Sequence, residues 1–164
     1  MRVARSVAVA VGLFLAAGLA PASDKPARPA DSDKEAKKFR GSWKVVGLMI
    51  GGERFTDDEI SGLRFVFKDG VVKSALLKDF DAAEFMSFRV DGTTTPKLLD
   101  LADWEKGFEG ADEMVECVYT LDGDTLKLCF NLQGDRPARG DRPTALESKE
   151  GSNSVLITLK REKR

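Results

Sequence analysis

The side chains that could do chemistry in this 164-residue chain are carboxylates, lysines, arginines and two cysteines, because the sequence contains no histidine. The absence of histidine excludes Ser-His-Asp and Cys-His catalysis, histidine-ligated zinc and histidine-based pH sensing. The sequence also has no glycine-rich phosphate loop, H-E-x-x-H or C-x-x-C motif. We therefore expect a protein that is not an enzyme, with no catalytic residue, no cofactor and no metal site.

Two runs of carboxylates could in principle supply a general acid and a general base. They are Asp57, Asp58 and Glu59, and Glu109, Asp112 and Glu113. The first run belongs to a T-x-x-E capping box that begins at Thr56, and Ser32 begins an S-x-x-E box that predicts a short helix ending near Phe39. Neither run matches a calcium-binding loop, so we interpret both as helix capping or solvated charge.

Three arginines in the polar segment 133–148 could contact an anion, because guanidinium groups match carboxylates and phosphates. These arginines are Arg136, Arg139 and Arg142, and aspartates stand next to them. We favour a solvated loop whose charges cancel. The whole chain carries 26 basic and 27 acidic residues, so we expect no nucleic-acid partner, which would need a clustered basic excess.

The elements that must position these groups are short apolar runs separated by turn sequences such as Asp-Gly and Gly-Gly. Their spacing predicts an all-β fold, an eight-stranded antiparallel up-and-down barrel with one or two short helices. The predicted strands cover residues 43–50, 63–68, 71–77, 85–90, 97–101, 114–121, 126–132 and 154–161.

Alternation along these strands predicts which side chains face inward. If Leu121 pairs with Leu126 across the Asp122-Gly123 turn, Cys117 faces inward and Cys129 faces outward. Cysteines on opposite faces of a sheet cannot form a disulfide, so we favour two free thiols, although a shift of one residue would bring them together.

The N-terminus has the pattern of a secretory signal peptide. Arg2 and Arg5 precede the small apolar segment 7–20, and Ala20-Pro21-Ala22 offers a cleavage site. The apolar segment is shorter than the roughly 20 residues of a spanning helix. We predict a signal peptide at 1–22, a flexible linker at 23–32 and a barrel domain at 33–164. The mature protein is then exported, periplasmic or extracellular, with no membrane span after cleavage.

The first predicted strand opens Gly41-Ser42-Trp43, which resembles the G-x-W signature of lipocalins and lipocalin-like barrels. From Phe39 to Glu162 the chain resembles a lipocalin-like domain family of unknown function, common in exported planctomycete proteins. The blocks that carry the resemblance are Gly41–Val46, Gly62–Phe67, Pro96–Leu101, Tyr119–Cys129, Arg142–Thr144 and Leu159–Arg161. The resemblance implies a barrel whose end is closed by Gly41, Trp43 and Arg161, with the arginine over the indole, and it implies no activity.

The predicted barrel interior is rich in large apolar side chains. Its candidate ligand-binding residues are Trp43, Phe65, Phe67, Phe88, Tyr119, Leu128 and Phe130, with Val45, Met49, Met86, Ile157 and Leu159 also facing inward. An eight-stranded barrel is just wide enough to be filled by side chains or to hold one small ligand.

Two functions remain open from the sequence. The first is a non-catalytic exported protein that binds a small apolar or amphipathic ligand inside the barrel. The second is a structural or protein-interaction module with a filled core. Val46, Leu48 and Ile50 alternate on the apparent outer face of the first strand and need a cover. That cover is either the helix at 34–39 or a second copy of the chain, as in a homodimer through the first strand.

Overall fold

The computed structural model of this protein describes residues 30–79, 84–105, 107–108 and 114–163. The predicted signal peptide and most of the predicted linker lie outside the described residues. The elements are helix α1 (Ala30–Phe39), strands β1 (Gly41–Ile50), β2 (Glu53–Arg54), β3 (Arg64–Lys68) and β4 (Val71–Lys73), helix α2 (Ala75–Asp79), and strands β5 (Phe85–Asp91), β6 (Lys97–Asp103), β7 (Val115–Asp122), β8 (Thr125–Gln133), β9 (Arg136–Pro137) and β10 (Ser154–Arg161).

Eight of the strands form a closed antiparallel barrel, which confirms the predicted fold class. They follow one another in the order β1-β3-β4-β5-β6-β7-β8-β10, and β10 pairs with both β8 and β1, so the sheet has no free edge. Strands β2 and β9 are two-residue additions to β1 and β8. Closure satisfies the backbone groups that an edge strand would leave unpaired.

The two ends of the barrel differ in what covers them. We call one the α1 end: α1 leads directly into β1 there, and the turns at Asp69-Gly70 and Asp122-Gly123 lie at that end. We call the other the α2 end, where α2 and the turn that follows Thr56 lie. Neither described helix has the length and hydropathy of a membrane-spanning helix.

A bulge in β1 changes which of its side chains face the core. Val45 pairs with Leu159 and Gly47 pairs with Thr158. Strand β1 therefore advances by two residues where β10 advances by one. This extra residue shifts the alternation, because every side chain after it points to the opposite face of the sheet. Leu48 is therefore buried in the core, and its predicted place on the outer face is wrong. Met49, predicted to face inward, is only half-buried.

The predicted strand 71–77 is also wrong in its second half. The strand ends at Lys73, and Ser74 accepts a hydrogen bond from the backbone N–H of Leu76, as an N-cap residue does. The helix that follows places Leu76 and Leu77 in the barrel core. The apolar run is therefore shared between two elements.

The beginning of α1 differs from the predicted capping box. The helix starts at Ala30, so Ser32 lies inside it and does not cap it, and residues 30–32 belong to the helix rather than to a linker. The Ser32 hydroxyl is buried and has no hydrogen-bond partner among the described residues. Glu35 is directed instead to the barrel, as described below.

The bulge generates a prediction that compares two neighbouring residues of β1. We expect Leu48→Ala to lower the free energy of unfolding by about 2–5 kcal/mol, because it leaves a cavity in the core. Val46→Ala, at a position that is 36% exposed, serves as the matched control and should cost less than about 1 kcal/mol. Urea unfolding of the two variants measures the difference, and equal losses would contradict the assigned bulge.

Candidate functional site

The candidate ligand-binding residues all lie in one buried cluster inside the barrel. Each of the seven side chains is at most 3% exposed: Trp43, Phe65, Phe67, Phe88, Tyr119, Leu128 and Phe130. They come from β1, β3, β5, β7 and β8, whose alternation turns them toward the barrel axis.

Phe39, at the last position of α1, is a member of this cluster that the sequence analysis missed. Its ring centroid lies 5.3 Å from that of Phe67, 5.8 Å from that of Phe88 and 5.0 Å from that of Tyr119. These are the separations of packed aromatic rings. The ring of Phe39 thus occupies space between the walls of the barrel. Its position on a short polar helix gave no periodic signal that could have placed it there.

Helix α1 is held over its end of the barrel by Glu35. One carboxylate oxygen accepts hydrogen bonds from Lys97 Nζ at 2.7 Å and Tyr119 Oη at 3.1 Å, and the other accepts one from Lys38 Nζ at 2.6 Å. Burial opposes the ionisation of Glu35, but the hydrogen bonds outweigh burial and lower its pKa to about 2. Burial raises the pKa of Tyr119, so its phenol stays protonated and donates to Glu35.

The residues proposed to close the barrel lie together at the same end. The guanidinium carbon of Arg161 stands 4.1 Å from the centroid of the Trp43 ring, a cation–π contact. Two nitrogens of Arg161 donate at 2.7 Å to the carbonyl oxygens of Arg40 and Lys38, and Trp43 Nε1 donates at 2.7 Å to that of Phe39. Gly41 has φ of 124°, and a Cβ there would stand 3.4 Å from Arg161.

The α2 end of the barrel is also occupied by apolar side chains. Leu76 and Leu77 from α2 belong to the core cluster, together with Ile60 from the turn after Thr56. That turn is the second predicted capping box: the Thr56 N–H donates to Glu59 at 2.7 Å, and the Glu59 N–H donates to the Thr56 hydroxyl at 3.4 Å. Of this run, Glu59 forms the box contacts with Thr56, and residues 57–62 form turns and not a helix. The run at 109–113 lies outside the described residues.

A cluster of charged side chains lies on the outer wall of the barrel. Arg142 donates to Asp100 at 2.5 Å, to Glu116 at 2.9 Å and to the carbonyl oxygen of Cys117 at 2.7 Å, and Arg89 donates to Asp100 at 2.7 Å. The prediction that Arg142 belongs to a solvated loop is wrong, because it forms ion pairs with two strands. Its partners are distant in sequence, and no local pattern indicated them.

Arg142 holds a segment that we call the strap, residues 138–148, against strands β6 and β7. Cys129 faces outward from β8, and the strap covers it so that its thiol contacts the carbonyl oxygen of Glu147 at 3.5 Å. Leu121 pairs with Leu126 as predicted, Cys117 faces the core, and both cysteines are free. Burial raises the pKa of Cys117, and it raises the pKa of Cys129 to about 11.

A surface cleft of about 290 Å³ lies outside the barrel, beside the strap. It is lined mainly by polar residues, among them Asn131, Asp141, Thr144 and Asn153. Within the described residues, no three cysteine, aspartate or glutamate side chains converge in a way that could hold a metal ion. The polar cleft and the apolar interior are therefore separate features.

Comparison with known proteins adds no relative: no protein-family model, no curated protein and no solved structure matches this chain. The resemblance to a lipocalin-like family stays a prediction from the sequence blocks.

The Glu35 network generates a prediction on pH. A pKa lowered from 4.5 to about 2 stabilises the fold fully above about pH 4.5, and this stability is lost as the pH falls toward 2. We expect Glu35→Gln to destabilise the protein at pH 6 by about 3 kcal/mol. The difference from the wild type should shrink between pH 4.5 and 2, measured by urea unfolding. A difference that does not change with pH would show that the charge of Glu35 contributes nothing.

The strap generates a second prediction, on thiol reactivity. Removing the charge of Arg142 leaves buried carboxylates with too few partners, which is strongly destabilising for the contact. We expect Arg142→Gln to raise the rate at which Cys129 reacts with Ellman's reagent under native conditions at least tenfold. Arg139→Gln, an exposed change on the same strap, is the matched control, and Cys129→Ser assigns the signal. Equal rates in the two arginine variants would show that Arg142 does not hold the strap.

Proposed function

We propose that this chain is a non-catalytic, exported interaction module whose barrel is a packed scaffold, and that its partners bind to its outer surface. The observation that carries the proposal is the occupation of both ends of the barrel. Phe39 enters from the α1 end, and Ile60, Leu76 and Leu77 enter from the α2 end. This arrangement favours the filled core over a ligand-binding interior.

The geometry gives a physical reason for this choice. A barrel of eight strands has room for its own side chains or for one small ligand, and here Phe39 adds a helix-borne ring to those of the walls. Admission of a ligand at the α1 end would require α1 to move. That movement would break the contacts of Glu35 with Lys97 and Tyr119 and those of Arg161 with the backbone of α1 and Arg40.

Export is supported by the sequence of the N-terminus. Arg2 and Arg5, the apolar segment 7–20 and the Ala20-Pro21-Ala22 site together form the pattern of a cleaved signal peptide. The mature domain would then work in the periplasm or outside the cell. Covered thiols suit an oxidising space, because a buried, protonated thiol is a poor nucleophile.

The burial of the first strand's residues gives less support to a homodimer through that strand than the sequence pattern did. Of the three residues proposed for that contact, Leu48 is buried in the core and Ile50 packs against it, which leaves Val46 as the exposed one.

Probe binding tests the packed barrel against the ligand-binding alternative. We expect no fluorescence change when small uncharged apolar probes are added to the wild type. Phe39→Ala should lower the free energy of unfolding by about 3–5 kcal/mol and create a cavity, and apolar cavities of this kind bind small apolar molecules. This variant should therefore acquire probe binding.

Phe85→Ala is the matched control, because it removes the same side chain from an exposed position. It should neither bind the probe nor lose much stability. If Phe39→Ala fails to fold, Leu77→Ala makes the same test at the α2 end. Saturable probe binding by the wild type would overturn the proposal and favour a ligand-binding interior.

A further inference from the structure

The large apolar side chains that the described part of the chain exposes lie on neighbouring strands. Trp104 is 58% exposed, Phe85 46%, Val66 37% and Val46 36%. Val46 lies on β1, Val66 on β3 and Phe85 on β5, and Trp104 directly follows β6. In the barrel order these strands are consecutive, with β4 between β3 and β5. These four residues therefore lie along five consecutive strands of the eight, and β7, β8 and β10 carry none of them.

The pairing register places these residues close together. Val66 pairs with Lys73 and Lys73 pairs with Phe85, so the three outward side chains form one row across β3, β4 and β5. Trp104 follows Asp103, which pairs with Met86, and this brings the chain at Trp104 next to Phe85. The ammonium of Lys73 stands 4.8 Å from the centroid of the Phe85 ring.

Basic side chains lie beside the β3 and β4 part of this row, whereas Glu84 precedes Phe85 and the acidic residues Asp103 and Glu105 flank Trp104. The outward charged residues of β1, β3 and β4 are Lys44, Arg64, Lys68 and Lys73, and these strands carry no acidic residue. Glu162 forms an ion pair with Arg64, and Glu84 forms one with Lys73. Lys44 and Lys68 form no ion pair within the described ranges. We call this surface, with its exposed apolar residues, the basic wall.

The strands beyond β6 are different. The outward residues of β8 and β10 are mostly polar, although Lys160 of β10 pairs with Lys44 of β1. The strap covers Cys129 and holds the acidic residues Asp100 and Glu116 in ion pairs. The chain as a whole has a net charge of −1, so the basic charge of β1, β3 and β4 is a local excess.

We propose that the basic wall docks on an anionic lipid surface. Aromatic side chains with lysine and arginine around them match the interfacial zone of a bilayer, where aromatic rings lie at the headgroup level and basic groups reach the phosphates. This proposal rests on the proposed function in one respect: both place binding on the outer surface of the barrel.

The shape of the wall favours a bilayer over an acidic protein. The outside of a barrel is convex, and a protein partner would need a matching concave surface to bury a comparable area. A lipid surface deforms around a convex wall and accepts single aromatic side chains. Among the described residues, the eight barrel strands offer no edge to which a peptide could add, and β2 and β9 are only two residues long.

Vesicle sedimentation tests the proposal with the whole mature chain. We expect the protein to sediment with vesicles of phosphatidylcholine and phosphatidylglycerol in equal amounts, and not with pure phosphatidylcholine. Binding should weaken as salt is added, because salt screens the attraction. Trp43 is already buried, so the blue shift in tryptophan emission on binding should come from Trp104 and should disappear in Trp104→Phe.

Variants that remove basic charges test which part of the barrel surface contacts the vesicle. We expect Lys44→Gln with Lys68→Gln to weaken vesicle binding about tenfold or more, since each basic residue near an anionic surface contributes about 1 kcal/mol. Arg139→Gln with Lys149→Gln makes the same change in charge beside β8 and the strap, and it should have little effect. All four side chains are exposed, and urea unfolding of each variant checks that the fold is kept.

Three results would overturn the proposal: no binding to the anionic vesicles, equal binding to neutral ones, or equal losses in the two double variants. Binding to polyglutamate without binding to vesicles would replace the lipid surface by an acidic protein partner. None of these results affects the packed barrel, which is tested by probe binding. Probe binding by the wild type would in turn leave the vesicle result unchanged.

Discussion

The width of an eight-stranded barrel is the constraint on which the rest of this structure depends. Closure through the pairing of β10 with both β1 and β8 fixes the number of strands and hence the space inside. That space must be filled by side chains or by a ligand, since an empty interior loses dispersion contacts on every wall. In this chain the strands do not fill it alone. Helix α1 adds Phe39 at one end, and α2 adds Leu76 and Leu77 at the other.

The helix that brings Phe39 must itself be fixed, and the contacts that fix it are polar. Glu35 binds Lys97 and Tyr119 of the barrel, and Arg161 binds two carbonyl oxygens near the end of α1 while it covers Trp43. Glu35 and Tyr119 are buried, Lys97 and Arg161 are partly exposed, and all four are paired, which is the condition for such groups to stabilise a fold. The aromatic core and the ion pairs at its margin therefore depend on each other.

The sequence predicted the strands well, because turn residues and alternation are local signals. The last strand was predicted with the bounds observed, and the register of the β7–β8 hairpin followed from the Asp122-Gly123 turn. The errors arose where a long-range contact overrides a local pattern. The bulge in β1 depends on its pairing with β10, and Ser74 divides an apolar run that could equally have been one strand.

The site was predicted only where its residues lie on strands. The inward-facing aromatic residues were identified by alternation, whereas Phe39 and Arg142 were not. Phe39 is the last residue of a polar helix, and the partners of Arg142 lie 26 and 42 residues away in sequence. A single sequence carries no pattern that joins such pairs, and the distinction between a filled and an open barrel depends on them.

The placement of the two cysteines on opposite faces of one hairpin has a consequence for the order of events during folding. Cys117 and Cys129 are close in sequence, so a flexible chain in an oxidising space could join them, and that bond would be incompatible with the barrel. A hairpin forms within microseconds, whereas thiol oxidation takes seconds or longer. Pairing of β7 with β8 places the two thiols on opposite faces of the sheet, where no disulfide can join them. The turn at Asp122-Gly123 sets the register of this hairpin and thereby keeps the thiols apart.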